Sequence, residues 1–317
     1  MKALILSIVV PCFNEFPVID ETAKQLSGVL SSLIEARLLD KKSFILFVND
    51  GSKDNTWAKI QELNIANRYV CGLNLAGNVG HQNALMAGLS VAKDESDIIV
   101  SIDADLQDDV KVISHMVQEY YKGFDIVYGV RDSRQTDTFF KRNSALGFYK
   151  FMSMLGVKSV YNHADYRLMS KRSVEQLMQF RERNLYLRGI VPLIGYNTTT
   201  VYYNRSERFA GESKYPLTKL INLAVDGITS FSVKPVRLIL SVGFLFLLLS
   251  IVAIIYTLIS YFTGHVVAGW TSMILSLWFI GALILISIGV VGEYIGKIYI
   301  EVKDRPRFNI ETVLLKK

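Results

Sequence analysis

The sequence predicts a layered α/β domain followed by a two-helix transmembrane hairpin, and three observations carry that reading. Short β-rich apolar runs alternate with segments of helical periodicity through the first half of the chain. Polar, acidic residues follow three of these runs at once, which puts functional groups at the carboxyl ends of parallel strands. Finally, Leu238–Phe262 and Met273–Val291 are long stretches without a charge, each near the roughly 20 residues a helix needs to cross a bilayer. Half of the 317 residues are apolar (50%), more than a soluble enzyme usually carries.

Taken in order, Leu4–Val10 is read as a buried first strand. A lysine followed by apolar residues could pass for a signal peptide, but no small-residue cleavage site follows and the run leads straight into Pro11 and a polar loop. Val18–Leu39 carries Ile19, Ala23, Leu26, Leu30, Leu33 and Ile34 at helical spacing. Phe44–Val48 is the second strand, and Thr56–Ile65 a second helix with Asp54 as its cap. Ile98–Ile102 and Asp125–Gly129 are further strands, and residues 139–156 a helix with an apolar face. Phe209–Tyr215 lacks periodicity and reads as a loop. Leu217–Phe231 is amphipathic and fits either core packing or a helix lying in the membrane interface. The expected organisation is a catalytic domain over 1–216, a juxtamembrane helix over 217–234, and a membrane domain over 235–317 with spans near 238–262 and 272–295 and a C-terminal tail.

The net charge of +6 matters less than its placement. Lys234 and Arg237 precede the first span, Lys297, Lys303, Arg305 and Arg307 follow the second, and Thr263–Thr271 between them has no Lys or Arg. By the positive-inside rule the α/β domain and both termini are cytoplasmic, in a multi-pass protein of the inner membrane. No basic stripe interleaved with aromatics suggests a nucleic-acid partner. Cys12 and Cys71 form no CxxC pair, which argues against zinc or a disulfide framework and fits a reducing compartment.

Ser101–Asp108 is a strand ending in Asp103-Ala104-Asp105. Two residues apart in an extended chain point the same way, so both carboxylates can face one hard divalent cation, Mg²⁺ or Mn²⁺, which bridges carboxylates to substrate phosphates. Alone, an Asp-x-Asp pair is better explained by a solvated turn. Val48-Asn49-Asp50-Gly51-Ser52-Lys53-Asp54-Asn55-Thr56 and Val9-Val10-Pro11-Cys12-Phe13-Asn14-Glu15 change that, because each follows its own strand.

Together the three loops resemble the family 2 glycosyltransferases, inverting enzymes of the GT-A fold. His163–Ser170, Glu207–Tyr215, Asp226–Ser232 and Gly289–Gly296 are similar to the polyprenyl-phosphate glycosyltransferases, a subfamily that includes dolichyl-phosphate mannose synthases and bactoprenol glucosyltransferases. The resemblance implies that Pro11, Phe13, Glu15, Val48 and Asp50 surround the nucleoside, with Asp50 accepting from the base and Glu15 from the ribose. It implies that Asp103, Ala104, Asp105 and Gln107 line the diphosphate, with Asp103, Asp105 and Gln107 at the metal. Arg131, Arg208 and Lys214 would bind phosphates of donor or acceptor. Asp165 would lie in the site, either as a base or as a group that pairs with Arg167 or orients the sugar. The implied partners are a nucleotide-diphosphate sugar, UDP-glucose favoured, and undecaprenyl phosphate, in a homotetramer. The product would serve cell-envelope glycan or O-antigen modification.

His81 reads as the start of a helix packed under the sheet in preference to a phosphate ligand. Arg181, Arg183 and Arg188 read as a solvated face, and Glu293 as a side chain reaching the interface. Three alternatives stand beside this: a GDP-mannose enzyme of the dolichyl-phosphate type, a polysaccharide synthase, and a membrane partner subunit with an inactive fold. Polysaccharide synthases usually carry Gln-x-x-Arg-Trp, and no tryptophan here follows an arginine.

Overall fold

The structure, a computed structural model, describes residues 3–131, 163–183, 185–204, 234–263 and 269–316. Its core is an eight-stranded mixed sheet in the order β7-β5-β6-β4-β1-β2-β3-β8. β1 (Leu6–Cys12), β2 (Phe44–Asn49), β3 (Val70–Leu75) and β4 (Ile98–Ser101) are parallel neighbours. All four are buried along their whole length, which is why they read as continuous apolar runs instead of alternating ones.

The crossovers are α1 (Ile19–Glu35), α2 (Thr56–Ala66) and α3 (His81–Glu95). α1 buries Ile19, Ala23, Leu26, Leu30 and Leu33, the stripe its spacing predicts. α3 lies so close to the sheet that a Cβ on Gly88 would sit 2.4 Å from Val9 Cγ1 and 2.7 Å from Val48 Cγ2; only glycine admits that approach. After α4 (Val112–Tyr121), β5 (Ile126–Arg131) and β6 (His163–Ser170) pair antiparallel, and β6 also runs antiparallel to β4. α5 (Lys171–Met178) starts at Ser170, whose side chain accepts from the Ser173 amide. The short α6 (Leu187–Ile190) and a 3₁₀ turn lead to β7 (Thr198–Tyr203), parallel to β5.

Two helices follow, α7 (Lys234–Phe262, 29 residues) and α8 (Trp270–Val302, 33 residues). They contain the two predicted spans, and Phe279–Val302 is long and apolar enough to cross a membrane. Leu248, Val252, Leu277 and Leu285 are among the large apolar side chains these helices expose, a surface of the kind that a membrane or a protein partner covers. α7 and α8 touch, with the Phe246 and Phe279 rings 5.8 Å apart.

The final element departs from expectation. The segment read as a tail of the membrane domain forms β8 (Ile310–Leu314), antiparallel to β3 at the sheet edge. Compactness accordingly places residues 305–316 with the α/β unit, while 234–263 and 269–304 form the other unit. Single-strand patterning could not show this, because an edge strand with one open face has only a short, mixed sequence. The predicted helices at 139–156 and 217–231 and the loop at 209–215 lie outside the described residues.

Candidate functional site

Because β4, β1 and β2 are parallel neighbours, their carboxyl ends bring three loops to one edge. The loops are tied to one another. Asp50 N donates to Cys12 O (2.9 Å), Asn14 N to Ser52 Oγ (3.0 Å) and Lys53 N to Asn14 Oδ1 (2.8 Å). Glu15 N donates to Thr56 Oγ1 (3.0 Å), and Thr22 Oγ1 from α1 donates to Ala104 O (2.8 Å). The predicted nucleoside residues Pro11, Val48 and Asp50 are buried here, Glu15 is half-buried and Phe13 is exposed.

Asp50 also has structural work. Its carboxylate accepts the amides of Val79 (2.7 Å) and Gly80 (3.0 Å) and the Asn78 side chain (3.1 Å). Burial pushes its carboxyl above the ordinary value, against those two amides. Gly51 beside it has φ +61°, and a Cβ there would meet Asn78 N at 2.4 Å. The 50–52 turn and the 77–80 loop are therefore locked together, which fixes how the chain enters α3.

His81, the first residue of α3, consequently reaches the acidic loop. Its Nε2 lies 3.5 Å from Asp103 Oδ1 and 3.7 Å from Asp165 Oδ2. This corrects the expectation that His81 packs under the sheet. The sequence signal was Gly80 just before it, a residue that permits the φ of +85° found there, but a single sequence does not show which way a helix start faces.

Asp165 arrives from the neighbouring strand. The β4–β6 register sets Ser101 opposite Arg167, so Asp165, two residues back along β6, stands beside the loop that holds Asp103. Ser101 Oγ donates to Asp165 O (2.5 Å) and anchors this placement. Arg167 Nη2 lies 2.6 Å from Asp165 Oδ1, and Arg188 Nη2 lies 3.5 Å from Oδ2. Burial raises the Asp165 carboxyl, but Arg188, Arg167 and His81 outweigh it and hold the group well below the usual carboxylate range. Burial pushes Asp103, with fewer cations near it, up to about 6. Arg188 therefore lies at the site and not on a merely solvated face.

Asp105 and Gln107 follow in the same loop, with Gln107 N donating to Asp105 Oδ1 (3.2 Å) and Leu106 between them at φ +55°. A bulky residue in that conformation stores strain of the kind found at functional loops. Oxygen ligands from Asp103, Asp105 and Gln107 suit a hard divalent cation, which binds through one or two carboxylates plus substrate phosphates and so needs no larger cluster. Among the described residues no group of three acidic, histidine or cysteine side chains is placed to hold a metal ion by itself.

Arg131 ends β5 with its Nη2 3.2 Å from Asp108 Oδ1, which also accepts from Tyr203 Oη (2.6 Å). The guanidinium predicted to bind phosphate thus has a carboxylate partner, and Asp108, 3% exposed, is a support residue that the sequence did not single out. Arg208 and Lys214 lie outside the described residues.

Comparison with known proteins fits this arrangement. Residues 7–178 match the Glycosyl transferase family 2 model, and residues 234–298 match the GtrB C-terminal hairpin. The chain is 56% identical over 307 residues to the uncharacterized glycosyltransferase YkoT of Bacillus subtilis (strain 168), covering 97% of this chain and 91% of that one. It is 39% identical to a prophage bactoprenol glucosyl transferase homolog of Escherichia coli (strain K12), covering 97% and 99%. Against the SfII prophage-derived bactoprenol glucosyl transferase of Shigella flexneri the identity is 40%, covering 96% and 97%. With three loops on one edge of a mixed α/β sheet and two long apolar helices later in the chain, it belongs to the family 2 glycosyltransferases and carries the GtrB-type C-terminal hairpin.

Proposed function

We propose that this enzyme transfers a hexose from a nucleoside-diphosphate donor to polyprenyl phosphate at the membrane surface, inverting the anomeric centre. The observation that carries the reading is the meeting of Asp103 and Asp165 across His81, with Arg167 and Arg188 behind Asp165. Such a crevice mixes carboxylates with cations, as a reaction between a sugar diphosphate and a second phosphate requires. The bactoprenol glucosyl transferases, similar over nearly the whole chain, support a lipid acceptor and a glucosyl group, and our first candidate donor is UDP-glucose. GDP-mannose is the second candidate.

The acceptor phosphate is already ionised near neutral pH, so the step needs no strong base. A carboxylate held ionised by two arginines is a weak base in any case. Of the two roles open to Asp165, pairing and orientation fit better: it fixes Arg167 and Arg188 where charge develops. Asp103, Asp105 and Gln107 are the residues that would hold Mg²⁺ or Mn²⁺. When bound, that ion supplies Lewis-acid neutralisation of the leaving diphosphate. The Pro11–Glu15 and Asp50 loops would seat the nucleoside, Arg131, Arg208 and Lys214 would meet phosphates, and Ala104 would leave the diphosphate room.

The enzyme would lie on the cytoplasmic face of the inner membrane with both termini inside. Two facts support this. Lys and Arg flank the hairpin but not its connecting segment, and the chain returns after α8 to the same compact unit that it left before α7. A homotetramer and a role for the product in envelope glycan or O-antigen modification belong to the same proposal.

The test is transfer from labelled nucleotide sugars to undecaprenyl phosphate in detergent, with and without Mg²⁺ or Mn²⁺. We expect a lipid-linked sugar from one donor, dependent on metal. Absence of lipid-linked product from every donor would sink the proposal.

A further inference from the structure

The edge strand β8 does more than close the sheet. Thr312 stands opposite Asn74 and Ile310 opposite Leu75, so Glu311 is an extra residue with no partner across the ladder. Such bulges re-aim a side chain. Here the Glu311 Oε2 accepts from Asn74 Nδ2 at 2.6 Å. Asn74 Oδ1 in turn accepts from Asn49 Nδ2 at 2.7 Å, and Asn49 Oδ1 from Ser52 N at 3.3 Å. Ser52 Oγ then accepts from Asn14 N at 3.0 Å.

We propose that Glu311 is a positioning residue for the nucleoside end of the donor site, acting through the Asn74–Asn49–Ser52 hydrogen-bond chain. This rests on the reading of the Pro11–Glu15 and Asp50 loops as that end.

Polarity is the reason. A carboxylate only accepts, so it draws the Asn74 NH₂ toward itself and leaves the Asn74 carbonyl facing Asn49. Asn49 must then present its NH₂ to Asn74 and its carbonyl to the Ser52 amide. One acceptor at the sheet edge thereby selects the orientation of two amides that could otherwise flip. In the opposite orientation the Asn49 NH₂ would face the Ser52 N–H, donor against donor, beside Asp50.

Strand pairing does not require this chain, because the backbone register already sets Asn49 opposite Asn74. Both asparagines are buried, at 3% and 8% exposed, in strand positions where apolar residues ordinarily sit. The outlet of the chain is a loop, and it joins the two segments expected to hold one ligand. Glu311 itself is exposed, so replacing it opens no cavity.

The experiment is calorimetric titration of the full chain in detergent with UDP and with GDP in the presence of Mn²⁺, using whichever binds. Glu311→Ala and Glu311→Lys should raise the Kd about fivefold to tenfold, as expected for loss of a charge-assisted hydrogen bond. Glu311→Gln, which keeps an acceptor but is uncharged and can also donate, should fall between wild type and Glu311→Ala. The same variants should raise the donor KM and leave kcat nearly unchanged. Asp50→Ala serves as the control for the loop itself. Weak binding by Asp50→Ala with unaltered binding by Glu311→Ala and Glu311→Lys overturns the role of Glu311 and leaves the nucleoside reading standing. Binding that Asp50→Ala does not change removes both. A loss that Gln fails to restore, accompanied by a lower melting temperature, also overturns it, since Glu311 then only closes the sheet.

Discussion

The two halves of the loop cluster are built from different chemistry. On the β4–β6 side the groups are ionisable: Asp103, Asp105, Asp165, Arg167, Arg188 and His81. On the β2–β3–β8 side they are largely amides and hydroxyls, Asn14, Asn49, Ser52 and Asn74, with Asp50 and Glu311 engaged by N–H donors. The difference teaches a division of labour. Under the proposed function, charges face the place where charge would move in the reaction, and neutral groups with fixed donors and acceptors would shape a seat for a base and ribose.

The largest effects should come from breaking the charged half. Asp105→Asn is expected to lower kcat by on the order of 10²–10³-fold, the usual cost of removing one group aimed at developing charge. The measurement is transfer at saturating donor and metal, and full activity would remove the metal-dependent reading. Asp165→Ala tests the same half through stability. It leaves Arg167, 2% exposed, without its carboxylate, at a cost of about 3 kcal/mol. The sign of its pH dependence follows from the depressed folded value. Its stabilisation is fully present above the unfolded carboxylate value of about 3.9 and is lost only as pH falls through the lower folded one. Asp103, pushed up to about 6 by burial and in part by the Asp165 charge, titrates between pH 5 and pH 8, so the comparison is made with Asp103→Asn in both proteins. There the melting difference should be equal at pH 5 and pH 8, and one that shrinks toward pH 5 would show Asp165 losing its charge in that range.

The charged half was also the more legible in sequence. Asp103, Asp105 and Asp165 stand in motifs, and the loops at the ends of β1, β2 and β4 were placed by apolar runs that stop at polar residues. What could not be read was anything set by packing between distant segments. His81 enters the site because Asp50 grips the two amides before it, 29 and 30 residues away in sequence. Arg188 enters because its short helix is held by Gln82, whose side chain accepts the Leu187 amide at 2.9 Å. β8 was missed because its pairing partner lies more than two hundred residues earlier and five mixed residues carry no strand pattern. Strands β1, β2 and β4, by contrast, are local properties of buried apolar runs and were readable to within about two residues, whereas β3, α4, β6 and β7 were not predicted.

The amide half should give smaller effects that fall on binding. Gly51→Ala places a Cβ 2.4 Å from Asn78 N at φ +61°, a strain of about 1–3 kcal/mol. The loop must shift to relieve it. The donor KM should rise with kcat nearly unchanged, whereas an equal fall in kcat would mean that the two halves are not separable.

The smallest stability effect is expected inside the charged half itself, at Arg188. Its side chain is 40% exposed and its nitrogen stands 3.5 Å from Asp165, so solvent screens the pair and it contributes less than about 1 kcal/mol to folding. Arg167 already neutralises the buried carboxylate. If Arg188 is there for the reaction, Arg188→Ala should leave the melting temperature almost unmoved while transfer falls by at least about tenfold, the lower end for a charge-assisted contact to a phosphate. Arg188→Lys keeps the charge but not the planar fork, and should recover only part of that loss. A variant that melts earlier yet transfers normally would assign Arg188 to the fold, and the charged half would then narrow to the groups on β6, the acidic loop and the start of α3.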